Sequence, residues 1–422
     1  MGTQRRRSTF HRAISKWFLR ASDEAGLTGL PFQIHVLLVL GFVFSLGRNI
    51  AFPYLAMFMT ENARNGGLQF DPSLVGFIIM VGGFAYTFAL LVTGSVCDRF
   101  GRKRMMIASM IAQAILTAGY AFITAYTEFL LLYAIAGIAG ALYDPAFSAM
   151  IADLVHPERR EEVYGLSYMI GNVGTMVGPI IGGIVAGTSG YAVLYVYAAI
   201  SAAATATGLI LLIKESRPAD VINVSMSRFT GIFRDRIFIL FCFMGAMTNV
   251  VYAQLYGLLS VYTKYMGFEP YVFGLFFAAN GAMVVTLQIP IRKGTTKIGP
   301  AKAFMIAQLL YAAGFTYFMF ATSFYEFLAG VVVLTLGEIA FVPASSGFVA
   351  NLAPADMRAR YMAMLGLFFG VGGSAGSQIA FSIFGISADK RIVWGILGSI
   401  GFATLLGYGL LLKMAKKENT TR

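Results

Sequence analysis

The chain contains 422 residues, of which 58% are hydrophobic and only 12% are Asp, Glu, Lys or Arg, and its mean hydropathy is +0.72. Soluble domains are roughly 45–50% apolar even when glycine is counted, so this composition excludes a soluble protein and indicates an integral membrane protein. The net charge of +12 does not point to nucleic acid, because the basic residues occupy short loops between apolar runs.

Apolar runs long enough to cross a bilayer predict an all-α protein with twelve transmembrane helices. Predicted helices 1 to 6 lie near 34–59, 73–97, 105–126, 128–152, 163–186 and 190–213. Predicted helices 7 to 12 lie near 237–263, 270–291, 303–321, 325–350, 359–385 and 391–413. The predicted parts of the chain are an N-terminal tail (1–33), a first six-helix bundle (34–213), a central loop (214–236), a second six-helix bundle (237–413) and a C-terminal tail (414–422).

The distribution of basic residues predicts the orientation in the membrane. With both termini placed in the cytoplasm, the inner tails and loops hold 27 of the 32 Lys and Arg residues, and the outer loops hold 4. Positive residues concentrate on the cytoplasmic side of membrane proteins. We therefore expect a multi-pass protein of the cell membrane with its N and C termini and its central loop in the cytoplasm.

Predicted helix 1 contains one charged side chain, Arg48, in the segment SLGRNIAFP. At ~1.5 Å per residue, Arg48 lies about 20 Å from either end of this helix. An ionisable group at that depth is costly, which makes it a candidate functional residue.

The turn between predicted helices 2 and 3 concentrates charge in a few positions. Gly101 allows the chain to reverse, and Asp98 can pair with neighbouring cations or with the positive end of a facing helix. The turn resembles the signature loop of the major facilitator superfamily, whose fold has twelve helices in two pseudo-symmetric bundles. The resemblance implies that Asp98 holds the two halves together on the cytoplasmic face in one state and releases them in the other. The alternative is a positive patch that only sets topology. The matching residues are Gly94, Asp98, Arg99, Gly101, Arg102 and Lys103.

Predicted helix 4 carries an acid, Asp144, in the segment ALYDPAF. In the superfamily's arrangement, helices 1, 4, 7 and 10 line a central cavity, so the resemblance implies that Asp144 and Arg48 lie along one pathway. Arginine stays protonated and favours an ionised partner, for which Asp144 is the expected choice. The two residues form either a switchable pair or a static ion pair that fixes packing. Tyr143 is a candidate for substrate contact.

Predicted helix 5 carries glycines every fourth residue, which line one face and permit close helix contact. The segment resembles the antiporter motif of the drug/proton antiporter branch of the superfamily, and this resemblance implies export. Plain glycine packing is the alternative. The chain departs from that branch at Tyr133, which stands where helix 4 usually has an arginine. The motif residues are Gly174, Gly178, Pro179, Gly182 and Gly183.

The second half of the chain has its own polar residues at membrane depth. Asn249 and Gln254 in predicted helix 7, and Asn280 in predicted helix 8, are candidates for substrate contact; helix–helix hydrogen bonding is the alternative for the first two. Glu338 in predicted helix 10 has no obvious basic partner. We expect this acid to load and release a proton.

The two halves are related by an internal repeat with an offset of 198 residues. Asp71-Pro72 falls on Glu269-Pro270, Gly101 on Gly299, Arg160 on Arg358 and Gly174 on Gly372. The second copy of the charged turn has Thr296 where the acid would be. Such halves commonly rock about a central site in secondary transporters.

These features favour a proton-coupled antiporter that exports small amphipathic or lipophilic compounds. A nutrient symporter, a lipid translocator and, more remotely, a membrane receptor stay open. We expect no enzyme, because no loop is long enough for a soluble domain and catalytic and nucleotide-binding motifs are absent. Cys97 and Cys242 lack the spacing of a metal or redox site. The predicted partners are a small-molecule substrate, protons and lipid, with no nucleic acid, metal or cofactor, and the resemblance favours a monomer.

Overall fold

A computed structural model describes residues 29–216, 232–233, 235–354 and 357–421 of the chain. Residues 1–28 of the predicted N-terminal tail, most of the predicted central loop and residue 422 of the predicted C-terminal tail lie outside the described residues. Within the described ranges, every element of regular structure is a helix.

The first six helices extend from the start of the described chain to the central loop. Helix α1 is interrupted by a 3-10 turn at Phe52–Tyr54, and α4 by a turn at residues 141–142. Their bounds are Phe32–Thr60 (α1), Pro72–Phe100 (α2), Arg102–Gly119 (α3), Tyr126–Leu154 (α4), Arg160–Ser189 (α5) and Ala192–Leu212 (α6).

The next six helices follow the central loop. Helix α7 is interrupted by a 3-10 turn at Ala253–Leu255. The bounds are Arg236–Tyr265 (α7), Pro270–Ile298 (α8), Pro300–Phe318 (α9), Phe324–Leu352 (α10), Arg358–Ile386 (α11) and Ile392–Thr421 (α12). We call α1–α6 the first half and α7–α12 the second half.

Ten helices in the described part of the chain are long and apolar enough to cross a membrane. Helices α3 and α9, of 18 and 19 residues, are not among the ten. Helix α3 begins with the basic run from Arg102 to Arg104, which shortens its apolar part. Twelve membrane spans therefore stay a prediction for these two helices.

The helix starts repeat at the offset found in the sequence. Helices α2 and α8 begin at Pro72 and Pro270, and α5 and α11 begin at Arg160 and Arg358, each pair 198 residues apart. Before α3 and α9, Gly101 and Gly299 have φ angles of +100° and +83°. Glycine adopts such angles without the penalty that a side chain imposes, so the two tight turns depend on these glycines.

The packing of the second half follows that of the first. Helix α1 packs on α5 and α6, α2 on α4, and α3 on α6. In the same way, α7 packs on α11 and α12, α8 on α10, and α9 on α12. The halves meet mainly along two helix pairs, α2 with α11 and α5 with α8.

The two halves touch toward one end of the molecule, which we call the Pro72 end. There the Gln378 side chain donates a hydrogen bond to the Ser73 carbonyl oxygen at 3.3 Å. A Cβ on Gly274 of α8 would meet the carbonyl oxygen of Pro179 in α5. Glu61, after α1, and Lys264, in α7, form an ion pair across the halves at 3.4 Å.

The opposite end, which we call the Gly101 end, is open. A Cβ added at Gly94 in α2, Gly165 in α5, Gly294 in α8 or Gly366 in α11 would meet no atom within 4 Å. These glycines lie on the four helices that join the halves at the Pro72 end. The hydrophobic cluster from Leu30 to Ile213 at the Gly101 end contains residues of the first half alone. Among the described residues, a hydrogen bond and an ion pair join the halves at the Pro72 end and neither kind of contact joins them at the Gly101 end, so we describe the structure as closed at the Pro72 end and open at the Gly101 end.

Candidate functional site

Glu338 lies near the middle of α10, within a cluster of neutral hydrogen-bonding groups. The Asn280 side-chain nitrogen donates to the Glu338 carboxylate at 2.8 Å and to the Thr335 hydroxyl at 3.0 Å. The Tyr252 and Tyr256 hydroxyls lie 2.8 Å from each other, and both residues are close enough to Glu338 to interact electrostatically with its carboxylate. Helices α7, α8 and α10 thus bring their polar side chains to one carboxyl group, which we call the Glu338 cluster.

The Glu338 cluster contains no cation. Among the described residues, no Lys, Arg or His nitrogen lies within 4.0 Å of this carboxylate. A tyrosine hydroxyl donates to a carboxylate and equally accepts from a carboxylic acid. The cluster can therefore satisfy Glu338 with or without a proton. The tyrosines were not singled out from the sequence, because nothing distinguishes them among 21 tyrosines.

Arg48 and Asp144 lie in the first half and do not form the direct ion pair expected from the sequence. Asp144 accepts a hydrogen bond from the Tyr86 hydroxyl at 3.2 Å. The Arg48 guanidinium lies 5.7 Å from the centre of the Phe52 ring. Both charged residues are exposed and border the same cavity. The static ion pair is wrong for this conformation, while a pair that opens and closes stays a prediction.

Arg48 and Asp144 border a cavity of ≈ 260 Å³ inside the first half. Its walls come from α1, α2, α3, α4 and α6, with no contribution from the described part of the second half. Tyr133, at the position of the family's arginine, and Tyr143, the predicted contact residue, both border it. Aromatic rings form much of its wall: Phe44, Tyr86, Tyr120, Tyr133, Tyr143 and Tyr195.

The predicted amide contacts of α7 and α8 have other partners. Gln254 is fully buried and donates to the Val250 carbonyl oxygen of its own helix at 3.0 Å; substrate contact is therefore wrong for it in this conformation. Asn249 is half-buried and donates to Gly245 of its own helix at 2.9 Å, so neither amide bonds to another helix here. Asn280 is 4% exposed and belongs to the Glu338 cluster.

The charged turn after α2 finds its partners in the first half and at the start of the central loop. Arg102 contacts Asp98 at 3.0 Å and Asp153 at 3.1 Å. The Glu215 carboxylate accepts hydrogen bonds from the backbone N–H groups of Arg102 and Lys103 at 2.9 and 3.2 Å. Asp98 forms no ion pair with the described part of the second half, as expected of a released loop. Asp153 and Glu215 were missed in the sequence, although both are acids at helix ends.

The glycine motif of α5 packs against α1. Cβ atoms on Gly174, Gly178 and Gly182 would collide with Ser45, Asn49 and the Ile50 carbonyl oxygen respectively. This is the close contact that small residues at four-residue spacing allow between membrane helices.

The last part of the same motif faces the second half. A Cβ on Gly183 would collide with the backbone of Tyr271 in α8, and a Cβ on Gly274 in α8 would collide with the Pro179 carbonyl oxygen, which accepts a hydrogen bond from the Tyr54 hydroxyl of α1. The motif therefore joins tight packing in the first half to the contact between the halves.

Comparisons with known proteins agree on one family. Residues 37–301 match the sequence profile of the Major Facilitator Superfamily. The chain is 28% identical over 403 residues to a Na(+), Li(+), K(+)/H(+) antiporter of Planococcus maritimus, covering 85% of this chain and 90% of the relative. It is 24% identical over 390 residues to the multidrug resistance protein MdtH of Salmonella typhimurium, covering 89% and 91%.

Solved structures share the fold at low sequence identity. A POT family transporter in complex with 5-aminolevulinic acid superposes with a TM-score of 0.79 at 15% identity, covering 92% of this chain and 97% of the other. The nucleoside transporter NupG superposes with a TM-score of 0.78 at 15% identity, covering 91% and 100%. At this identity, the likeness shows the fold alone.

Proposed function

Because the chain belongs to the Major Facilitator Superfamily, we propose that it is a proton-coupled antiporter that exports small amphipathic compounds by alternating access. Relatives named as a cation/proton antiporter and as a multidrug resistance protein support this direction of transport. The proposal includes twelve membrane spans in two bundles, 34–213 and 237–413, in a monomer of the cell membrane.

The Glu338 cluster is the observation that carries the proposal. A proton carrier must be stable in both protonation states and must not be locked in one state by a fixed cation. Glu338 has one direct hydrogen-bond partner, the neutral Asn280 amide, and two nearby tyrosine hydroxyls that can either donate or accept. An ionisable group at membrane depth is a functional candidate on energetic grounds as well.

The open end of the molecule gives the transport cycle a direction. With the termini in the cytoplasm, the Gly101 end faces inward, so the structure is an inward-facing conformation ready to accept a compound from the cell. Closing this end would bring the charged turn of α2 toward α11 and expose the site at the Pro72 end. As the compound leaves to the outside, a proton would bind Glu338 from that side and be carried into the cell.

Glu338→Gln tests the proton carrier. In proteoliposomes with an imposed pH gradient, we expect the variant to lose gradient-driven uptake of a lipophilic cation such as tetraphenylphosphonium. Exchange of labelled for unlabelled compound without a gradient should persist, because the amide keeps the shape of the carboxyl group. Glu326→Gln, in the same helix but at its exposed start, is the matched control. Gradient-driven uptake at the wild-type rate in Glu338→Gln would rule out this carrier.

An alkali-cation/proton antiporter is the second candidate. One relative carries that name, and the Glu338 cluster offers the oxygen ligands that hard cations prefer: a carboxylate, the Thr335 hydroxyl and two tyrosine hydroxyls. Everted vesicles with a quenched pH-sensitive dye distinguish the candidates. Dequenching by NaCl, LiCl or KCl, absent in Glu338→Gln, would favour cation exchange, whereas dequenching by the organic compound alone favours export.

A further inference from the structure

The internal repeat pairs the Glu338 cluster with three glycines. At the offset of 198 residues, Asn280, Thr335 and Glu338 of the second half correspond to Gly82, Gly137 and Gly140 of the first. The helices concerned start at matching positions, 72 and 270 for one pair and 126 and 324 for the other. The first half therefore lacks three side chains that form a polar cluster in the second.

The first half has a cavity where the second half has these side chains, although helix packing closes the space directly over Gly82 and Gly137. Gly82, Gly137 and Gly140 all border the cavity of ≈ 260 Å³, far above the roughly 10–15 Å³ that one water molecule needs. Beside the corresponding residues of the second half, the small pocket next to Asn280 has a volume of ≈ 0 Å³. The two halves thus differ where the repeat makes them comparable: one is filled with a titratable cluster and the other is hollow.

Polar groups around the hollow lack partners. The hydroxyls of Tyr143 and Tyr195 are buried without a hydrogen-bond partner among the described residues, and the two residues are 5% and 1% exposed. Arg48 has no carboxylate within 4.0 Å among the described residues. Buried polar groups in native proteins are nearly always paired with protein or water, so the two buried hydroxyls and the exposed Arg48 guanidinium are open to water or to a ligand.

We propose that the first-half cavity binds the transported compound, and that this compound is a flat aromatic zwitterion. Arg48 offers a planar fork of donors that suits a carboxylate, and Asp144 offers an anion to an ammonium group. A ligand with one charge meets one attractive and one repulsive group, whereas a zwitterion satisfies both. The aromatic wall adds ring stacking and cation–π contact.

Transport of the bound compound rests on the proposed function, whereas its binding can be measured without a proton gradient. Tritiated 4-(aminomethyl)benzoate is the probe, with 4-methylbenzoate and 4-methylbenzylamine as controls of the same shape and one charge each. In equilibrium dialysis against the purified full-length protein in detergent, we expect the zwitterion to bind at least about tenfold more tightly than either control. Equal or weaker binding of the zwitterion would overturn the inference.

Variants locate the site. Gly140→Val places a side chain at the cavity wall, where a Cβ meets the Gln113 amide at 2.9 Å and the Tyr86 ring at 3.8 Å, and should abolish zwitterion binding. Gly187→Val in α5, where a Cβ meets nothing within 4 Å, is the control and should bind as wild type. Equal binding by the Gly140→Val and Gly187→Val proteins would place the ligand elsewhere.

Charge variants keep the test informative if Gly140→Val fails to fold. Arg48→Gln should reduce binding of the zwitterion to the level of 4-methylbenzylamine, and Asp144→Asn should reduce it to the level of 4-methylbenzoate. Zwitterion binding unchanged in both variants would overturn the inference.

The two proposals fail separately. If Glu338→Gln still binds the zwitterion and still supports gradient-driven transport, proton coupling through Glu338 is wrong and the assignment of the cavity stands. If the wild type shows gradient-driven transport of tetraphenylphosphonium but does not bind the zwitterion, the assignment of the cavity is wrong and proton coupling stands.

Discussion

Asn280 holds the Glu338 carboxylate and the Thr335 hydroxyl with a single side-chain nitrogen. Its own side chain is almost fully buried, so water cannot replace it. The hydrogen bonds of Asn280 therefore do more than position a side chain, because they connect two neighbouring helices, α8 and α10, at the depth of the carboxylate.

Asn280→Ala should destabilise the folded protein. Loss of a hydrogen bond to a charged group costs about 1.5–3 kcal/mol when the partner stays buried. We expect a lower midpoint of thermal unfolding in detergent, followed by intrinsic fluorescence, together with slower proton-driven exchange. Asn172→Ala is the control, because Asn172 is exposed and bonds only to its own helix at Tyr168. Equal unfolding midpoints for the two variants would contradict the role given to Asn280.

At the scale of single residues, the sequence identified the charged side chains but not the residues around them. Arg48, Asp144 and Glu338 were visible because a charge inside an apolar run is rare. The tyrosines that surround them were not visible, because the rotation of each helix about its axis decides which ring faces the site. The rotation of α7 about its axis, which the sequence does not give, also explains the wrong expectation for Gln254, whose side chain is buried in packed protein.

At the scale of helices, the contact between α1 and α5 depends on backbone proximity. A Cβ on Gly182 would collide with the Ile50 carbonyl oxygen. A backbone atom inside a helix cannot move aside as a flexible side chain does. The two helices must therefore separate if Gly182 acquires a side chain.

Gly182→Ala should thus destabilise the protein strongly, whereas Gly187→Ala on the same helix should not, because its Cβ meets open space. Overpacking costs typically 1–3 kcal/mol. The measurement is the fraction of protein that elutes as a single peak in size-exclusion chromatography after heating. Equal recovery of the two alanine variants would show that α5 tolerates a side chain facing α1.

The helices themselves were the most predictable feature. Predicted starts at 73, 270 and 325 fall within one residue of the observed starts at 72, 270 and 324, because a proline or a capping side chain marks each of them. The breaks inside α1, α4 and α7 were not predicted, although Pro53 lies in the first break and Pro145 lies just after the second.

At the scale of the whole molecule, one ion pair joins the halves at the closed end. Glu61 has a side chain that is 9% exposed, and Lys264 one that is 35% exposed. Partial burial makes this pair stronger than an open surface pair, which contributes about 0.2–1 kcal/mol. Breaking it should shift the molecule from the conformation open at the Gly101 end toward the opposite one.

Labelling of a cysteine at the Gly101 end measures this shift. Gly94→Cys, in a background in which Cys97 and Cys242 are replaced by Ala, places a thiol where the structure has open space. A membrane-impermeant maleimide applied from the Gly101 side should label it rapidly. Glu61→Lys should slow the labelling by up to about fivefold, since about 1 kcal/mol changes a two-state equilibrium constant by that factor. The exchanged pair, Glu61→Lys with Lys264→Glu, should restore the rate, and slow labelling in the exchanged protein would show that the ion pair does not set the balance.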